Sequence, residues 1–158
     1  MSWLSRLFGG RSERDLKPQR LDYLNEALML EKQGDYDAAL TSYRLALRDK
    51  PDDHRVLQNM AIAYSKTGRS EEAIRAYTRA LELRPNLSGS HYGLAFLLLK
   101  RGDAEDAARH LEEFLAAPPS GDEAQRWIGH AKRTLARIRS GGDIEGATDA
   151  DTPSDRES

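Results

Sequence analysis

The chain has 158 residues, of which 39% are hydrophobic and 32% charged, and it contains no cysteine. This length and composition fit one folded domain, and the absence of thiols excludes disulfides, zinc–cysteine sites and iron–sulfur clusters. The net charge of −2 divides into +3 over residues 1–20, zero over 21–139 and −5 over 140–158. Because a general nucleic-acid binder needs a basic face, the neutral body predicts no nucleic-acid partner.

The first ten residues, MSWLSRLFGG, lack the long apolar core of a secretion signal. No stretch of the chain approaches the roughly 20 consecutive apolar residues that span a bilayer. We therefore expect a soluble, cytoplasmic protein.

Residues 1–17 are predicted to form a short amphipathic segment followed by a linker. Four apolar side chains would cluster on one side of a short helix that ends at Gly9-Gly10: Trp3, Leu4, Leu7 and Phe8. A helix of about 8 residues is unstable alone, so this segment needs a surface. Three interpretations stay open: it docks on the chain's own first repeat, it lies in a membrane interface as a peripheral anchor at the inner face, or a partner recognises it.

A period of 34 residues organises the middle of the chain. Six columns are identical three times over, at the following residues and at the positions 34 and 68 further on: Ala27, Lys32, Gly34, Ala39, Leu47 and Pro51. An internal repeat of this length is typical of stacked helical hairpins.

Each unit is predicted to hold two helices. In the second unit, apolar residues recur at i, i+3, i+4 and i+7, which is one face of a helix; they are Leu57, Met60, Ala61 and Tyr64. Gly68 ends this helix, because a left-handed residue costs least at glycine. Pro85 ends the next one, because the residue before a proline is disfavoured in helical geometry.

This pattern resembles the tetratricopeptide repeat (TPR) family. The second unit carries the family's motif at Leu57, Ala61, Tyr64, Gly68, Ala73, Tyr77, Ala80 and Pro85, and the segment from Gly34 to Leu47 matches equally well. The resemblance covers about residues 20–121 and implies an all-α fold, an α-solenoid of three TPR helix-hairpins. We place the repeats at about 20–53, 54–87 and 88–121, within a domain of residues 18–121.

The third unit departs from the motif. His91 stands where the family has a large apolar residue, and Phe114 stands where the other units have Ala46 and Ala80. We expect the helix that follows to fill the wider gap that Phe114 requires.

Residues 122–139 are predicted to form a C-terminal capping helix. Asp122 and Glu123 favour its start, and one side carries an apolar stripe of Ala124, Trp127, Ile128, Ala131, Leu135 and Ile138. A repeat array needs such an element to cover its last apolar face. Residues 140–158 are rich in Gly, Ser and Asp and are predicted to be a disordered acidic tail.

The sequence offers little catalytic chemistry. The histidines His54, His91, His110 and His130 stand apart without metal-ligand spacing, and no phosphate-binding glycine motif is present. We therefore predict a protein that is not an enzyme and that uses no metal and no cofactor.

The resemblance implies that the first helices of successive repeats line a concave groove for a protein or peptide partner. The groove positions are Leu21, Leu24, Leu28 and Glu31, then Arg55, Gln58, Asn59, Ile62, Ser65 and Lys66, then Tyr92, Phe96, Leu99 and Lys100, with Arg126, His130 and Arg133 added by the capping helix. An exposed apolar patch usually marks a partner site. The alternative is that the chain covers this stripe itself, for example with Trp3, Leu4, Leu7 and Phe8.

Family members that clamp the acidic C-termini of chaperones carry basic and amide side chains at positions where this chain has Leu24, Leu28, Asn59, Gly89 and Gly93. Only Asn59 matches, so we predict that no free carboxylate terminus is clamped. The predicted function is a non-enzymatic adaptor, scaffold or assembly factor that binds an apolar, partly acidic peptide or helix. The alternative is a membrane-associated assembly protein anchored by residues 1–10.

Overall fold

The computed structural model describes residues 22–144, which form seven α-helices and no strand within that range. The helices are α1 (Tyr23–Lys32), α2 (Tyr36–Asp49), α3 (His54–Lys66), α4 (Ser70–Leu83), α5 (Ser88–Arg101), α6 (Ala104–Ala116) and α7 (Asp122–Ser140). The predictions for Trp3, Leu4, Leu7, Phe8 and Leu21, and for the tail beyond Ile144, lie outside the described residues.

Each helix packs chiefly against its neighbours in chain order. The most extensive contacts join α1 to α2, α3 to α4 and α5 to α6, and the contacts from α2 to α3, α4 to α5 and α6 to α7 link the pairs. The predicted all-α solenoid of three hairpins and a terminal helix is confirmed.

The helix boundaries follow the predicted signals. Gly34, Gly68 and Gly102 adopt left-handed φ values of 79°, 75° and 97° just after the first helix of each hairpin. The residues before the prolines are extended, with φ −140° at Lys50 and −145° at Arg84, so α2 and α4 end there.

The repeated alanines lie at the closest contacts between helices. All six members of the two alanine columns are at most 1% exposed: Ala27, Ala61, Ala95, Ala39, Ala73 and Ala107. Because a larger side chain would push the helices apart, these alanines set the distance between neighbouring helices.

The third hairpin accommodates its large Phe114 as expected, within an aromatic cluster. Phe114 is 1% exposed, and its ring centroid lies 5.1 Å from that of Tyr92. Tyr92 in turn contacts the ring of Trp127 on α7 at 6.5 Å between centroids. The extra volume of Phe114 is therefore absorbed by a cluster that α7 completes.

Helix α7 buries the predicted stripe and exposes its basic side chains. Ala124, Ala131 and Leu135 are buried, and Trp127, Ile128 and Ile138 are half-buried against the core. One boundary needs correction, because the acidic tail was predicted to begin at Ser140. Ser140 belongs to α7, Gly141 ends the helix in a left-handed conformation, and Ile144 packs against the core.

The contact between α4 and α5 generates a first prediction. A Cβ added at Gly93 would lie 2.5 Å from the buried Tyr77 ring, so Gly93→Ala forces apart two close-packed helices. We expect it to lower the free energy of unfolding by about 1–3 kcal/mol, measured by urea denaturation, although alanine is the better helix former.

Gly129 provides the matched control for this substitution. It also lies inside a helix, but an added Cβ there meets only the mobile end of Arg133, at 3.2 Å. Gly129→Ala should therefore raise stability by up to about 1 kcal/mol. Equal effects at both positions would contradict the close contact with Tyr77.

Candidate functional site

The residues predicted to line the groove lie on alternate helices, α1, α3, α5 and α7. In a stack of hairpins alternate helices form one layer, and the described structure shows this directly between α5 and α7. The Tyr92 hydroxyl lies 2.9 Å from Nδ1 of His130, and the His130 ring stacks on Phe96 with 4.6 Å between centroids and 8° between planes. We call the surface formed by the predicted residues of these four helices the odd-helix face.

The prediction that the apolar stripe is open along its whole length is wrong at the third repeat. Tyr92, Phe96 and Leu99 are 1%, 4% and 3% exposed. For Tyr92 and Phe96 the physical reason is α7, since Trp127 lies against Tyr92 and His130 lies against both rings. His130, expected to extend the groove, instead closes it.

The first and second repeats keep a less covered apolar surface. Leu24 and Leu28 on α1 and Ile62 on α3 are half-buried, and so are Gln58 and Asn59 on α3. Leu24, Leu28 and Ile62 are the apolar side chains among them, and we call these three the floor of the odd-helix face. A ligand that contacts apolar side chains would find them here.

Basic side chains also lie on the helices of the odd-helix face. Arg55, Lys100, Arg126 and Arg133 are exposed, and Lys66 is half-buried. Arg55 donates from Nη2 to Oδ2 of the buried Asp53 at 3.3 Å, so part of its charge is already balanced. The positive charges of Lys100 and Arg133 on this face favour acidic groups on a ligand.

The one predicted acid of the face, Glu31, is held in an unfavourable environment. Burial raises the pKa of its carboxyl, while the hydroxyl of the neighbouring Tyr43 acts in the opposite direction. Among the described residues, neither Oε1 of Glu31 nor the hydroxyl of Tyr43 has a hydrogen-bond partner. Burial therefore disfavours the charged form of Glu31 more than Tyr43 favours it.

The histidines do not all stand apart as the sequence suggested. Nδ1 of His91 lies 3.0 Å from Nδ1 of His110, and Nε2 of His91 donates to the carbonyl of Pro85 at 2.7 Å. Neutral His91 therefore accepts at Nδ1, and His110 donates. The two residues are 19 positions apart, and only the pairing of α5 with α6 brings them together, so no sequence motif announces the contact.

No group of three or more His, Asp and Glu residues within 22–144 is arranged to hold a metal ion. A test of membrane spans over the same residues finds no helix with the length and apolar character to cross a bilayer. An open pocket of about 380 Å³ lies between the start of α1, the end of α2 and the start of α3. Of the predicted site residues, only Leu24 lines it, so this pocket is distinct from most of the odd-helix face.

The tetratricopeptide repeat profile matches residues 20–86, and a second profile of the same description matches residues 59–121 and 92–131. Because these matches together run from residue 20 to residue 131, well over half of the chain, the protein belongs to the tetratricopeptide repeat family. No curated protein matches it at a significant level. The repeat fold is that of a protein-interaction module.

Solved structures share the fold at low sequence identity. The type III secretion translocator chaperone SycD of Yersinia enterocolitica is 15% identical, with a TM-score of 0.69 over 86% of this chain and 91% of SycD. SycD in complex with a peptide of the translocator YopD is 16% identical, with a TM-score of 0.71 over 80% of this chain and 98% of SycD. The Sgt2 TPR domain of Aspergillus fumigatus is 24% identical, with a TM-score of 0.65 over 79% of this chain and 84% of the Sgt2 chain.

The buried carboxyl of Glu31 leads to a pH-dependent prediction. Because its pKa is raised, the folded state holds the proton more tightly than the unfolded state, and stability falls as pH rises above 4.5. Glu31→Gln removes this charge, so the variant should unfold at higher urea than the wild type at pH 7. The gain should shrink as pH falls towards 4.5, and a gain of constant size would contradict the raised pKa.

The histidine pair predicts the opposite pH dependence. Burial lowers the pKa of His110, helped by His91 and Arg109 and opposed by Glu113. The unfolded state therefore binds the proton more tightly, and stability is lost as pH falls below the ordinary value of 6.5. His110→Gln should flatten this part of the stability curve, measured by urea denaturation between pH 7 and 5, and an unchanged slope would contradict the lowered pKa.

Proposed function

We propose that this protein is a non-enzymatic adaptor, scaffold or assembly factor that binds an apolar, partly acidic peptide or helix on its odd-helix face. The observation that carries the proposal is the half-buried floor of Leu24, Leu28 and Ile62. Apolar side chains that stay partly exposed on one face of a folded protein offer an interaction surface.

The burial pattern confines the apolar part of the proposed site to the first two repeats. Since α7 covers Tyr92 and Phe96, those two side chains support the wall of the face and do not contact the ligand. The proposed contacts are the floor together with the polar and basic residues around it, Arg55, Gln58, Asn59, Lys66, Lys100 and Arg126.

The character of the ligand follows from this surface. Apolar side chains at helical spacing would cover the floor, as in other recognition of an amphipathic helix by a groove. Acidic side chains at the ligand's edges would meet Lys100 and Arg126, which raises the association rate more than the affinity. The fold similarity to SycD, whose structure has been solved with a YopD peptide, supports a peptide as the ligand class.

A crosslinking experiment tests the site. A photoreactive amino acid at Gln58, on the odd-helix face, should yield one dominant adduct in the native cell, whereas the same residue at Thr78, exposed on α4, should not. The adduct identifies the partner, whose affinity is then measured with purified protein.

Ile62→Glu should weaken the binding of that partner at least tenfold, because a central apolar contact is replaced by a buried charge. Thr78→Glu, with the same added charge on α4, is the matched control and should leave the affinity unchanged. Equal adducts at Gln58 and Thr78, or an Ile62→Glu protein that folds and binds normally, would contradict the proposed site.

A further inference from the structure

We propose that the chain's own residues 3–8 occupy the floor of the odd-helix face when no partner is bound, so that a partner must displace them. The docking itself is independent of the proposed function. The displacement rests on it, because it requires the partner to use the same floor.

The floor and the N-terminal segment match in chemistry. Leu24, Leu28 and Ile62 remain half-buried within the described structure. Residues 3–8 hold four large apolar side chains, Trp3, Leu4, Leu7 and Phe8. Each buried square ångström of such apolar surface is worth about 25 cal/mol, so both surfaces gain from mutual contact.

The attachment point of the segment favours contact within the chain. The described structure begins at Asp22, whose carboxylate caps α1, the helix that carries Leu24 and Leu28. Residues 9–21 can extend about 3.3–3.6 Å each, roughly 45 Å in total. Four helices packed 8–10 Å apart span about 30 Å, so this linker reaches every part of the odd-helix face.

The tether also compensates for a weak intrinsic affinity. A segment joined by a short flexible linker has an effective concentration in the millimolar range. A docking constant near 1 mM would therefore already fill the floor about half of the time. A separate peptide of the same sequence would have to be present at a millimolar concentration to fill the floor to the same extent.

The charges of residues 1–21 add up to +3 and do not favour the basic surroundings, so the apolar contact carries the docking. Arg6 is the only charged side chain within residues 1–10. In a helix, at about 100° per residue, Arg6 would lie roughly 130° from the centre of the apolar stripe, so docking would turn it away from the floor. The linker holds Glu13 and Asp15 but also Arg11, Arg14, Lys17 and Arg20.

The acidic C-terminal tail is the weaker candidate for the same place. Residues 145–158 carry five acids and Arg156, but their apolar side chains are limited to Ala147 and Ala150 and the ring of Pro153. Such a segment can approach the basic side chains but cannot cover Leu24, Leu28 and Ile62. The apolar floor therefore selects the N-terminal segment.

Distance measurements between spin labels test the docking in the full chain. The chain has no cysteine, so Ser5→Cys with Lys100→Cys, and Ser5→Cys with Thr78→Cys, give two specific pairs. Both pairs should show one narrow distance distribution. Leu7→Glu should broaden both distributions, whereas Arg6→Glu, on the opposite side of the segment, should broaden neither.

Ile62→Glu locates the docking site. In a variant that keeps its helical circular dichroism, it should broaden both distributions as Leu7→Glu does. Broad distributions in the unsubstituted background, or narrow ones that survive Leu7→Glu or Ile62→Glu, would overturn the inference. Broad distributions that narrow only with phosphatidylcholine–phosphatidylglycerol vesicles would also overturn it, and would assign the segment to a membrane.

Partner binding separates this inference from the proposed function. With the crosslinked partner, Leu7→Glu should raise the affinity about two- to tenfold, because no segment has to be displaced. Narrow distributions with an unchanged partner affinity would keep the docking and overturn the displacement. Broad distributions together with a weakened Ile62→Glu complex would overturn the docking and leave the proposed function intact.

Discussion

A stack of helical hairpins ends in an apolar surface that something must cover, and in this protein α7 covers it. Trp127 and His130 lie against Tyr92, and His130 stacks on Phe96. Helix α7 packs on the last hairpin and belongs to the odd-numbered layer of helices. It therefore also covers one end of the odd-helix face. The position of the candidate site therefore depends on how the array is terminated as much as on the repeats themselves.

The third hairpin differs from the other two because α7 packs on it and ends the array. A family motif with a small residue in place of Phe114 would leave Tyr92 without its inner neighbour, and Phe114 and Trp127 contact Tyr92 from two helices. Ion pairs between hairpins, such as Arg69 with Asp37 at 3.0 Å and Arg101 with Glu71 at 3.3 Å, are exposed. Exposed pairs contribute at most about 1 kcal/mol each, so apolar packing carries most of the stack.

Much of this architecture could be predicted because it is encoded locally. The period fixes which residues share a helix face, and Gly68 and Pro85 mark where helices end. The exposure of Tyr92 and Phe96 could not be predicted in the same way, because periodicity assigns a side chain to a face without saying which helix covers that face. The contact between His91 and His110 was missed for a related reason, since it depends on the register between α5 and α6.

The half-covered floor at Leu24, Leu28 and Ile62 has a consequence for binding that follows from this same asymmetry. The C-terminal half of the face is covered by a helix that belongs permanently to the core, whereas the cover we propose for the N-terminal half is a segment attached only by a linker. A permanent cover removes part of the binding surface. A tethered cover lowers only the apparent affinity, which equals the intrinsic affinity multiplied by the fraction of time that the floor is free. A ligand with more apolar contact than residues 3–8 would still bind, and one with less would be excluded. An array covered in these two different ways would thus select for ligands that combine a long apolar stripe with acidic edges.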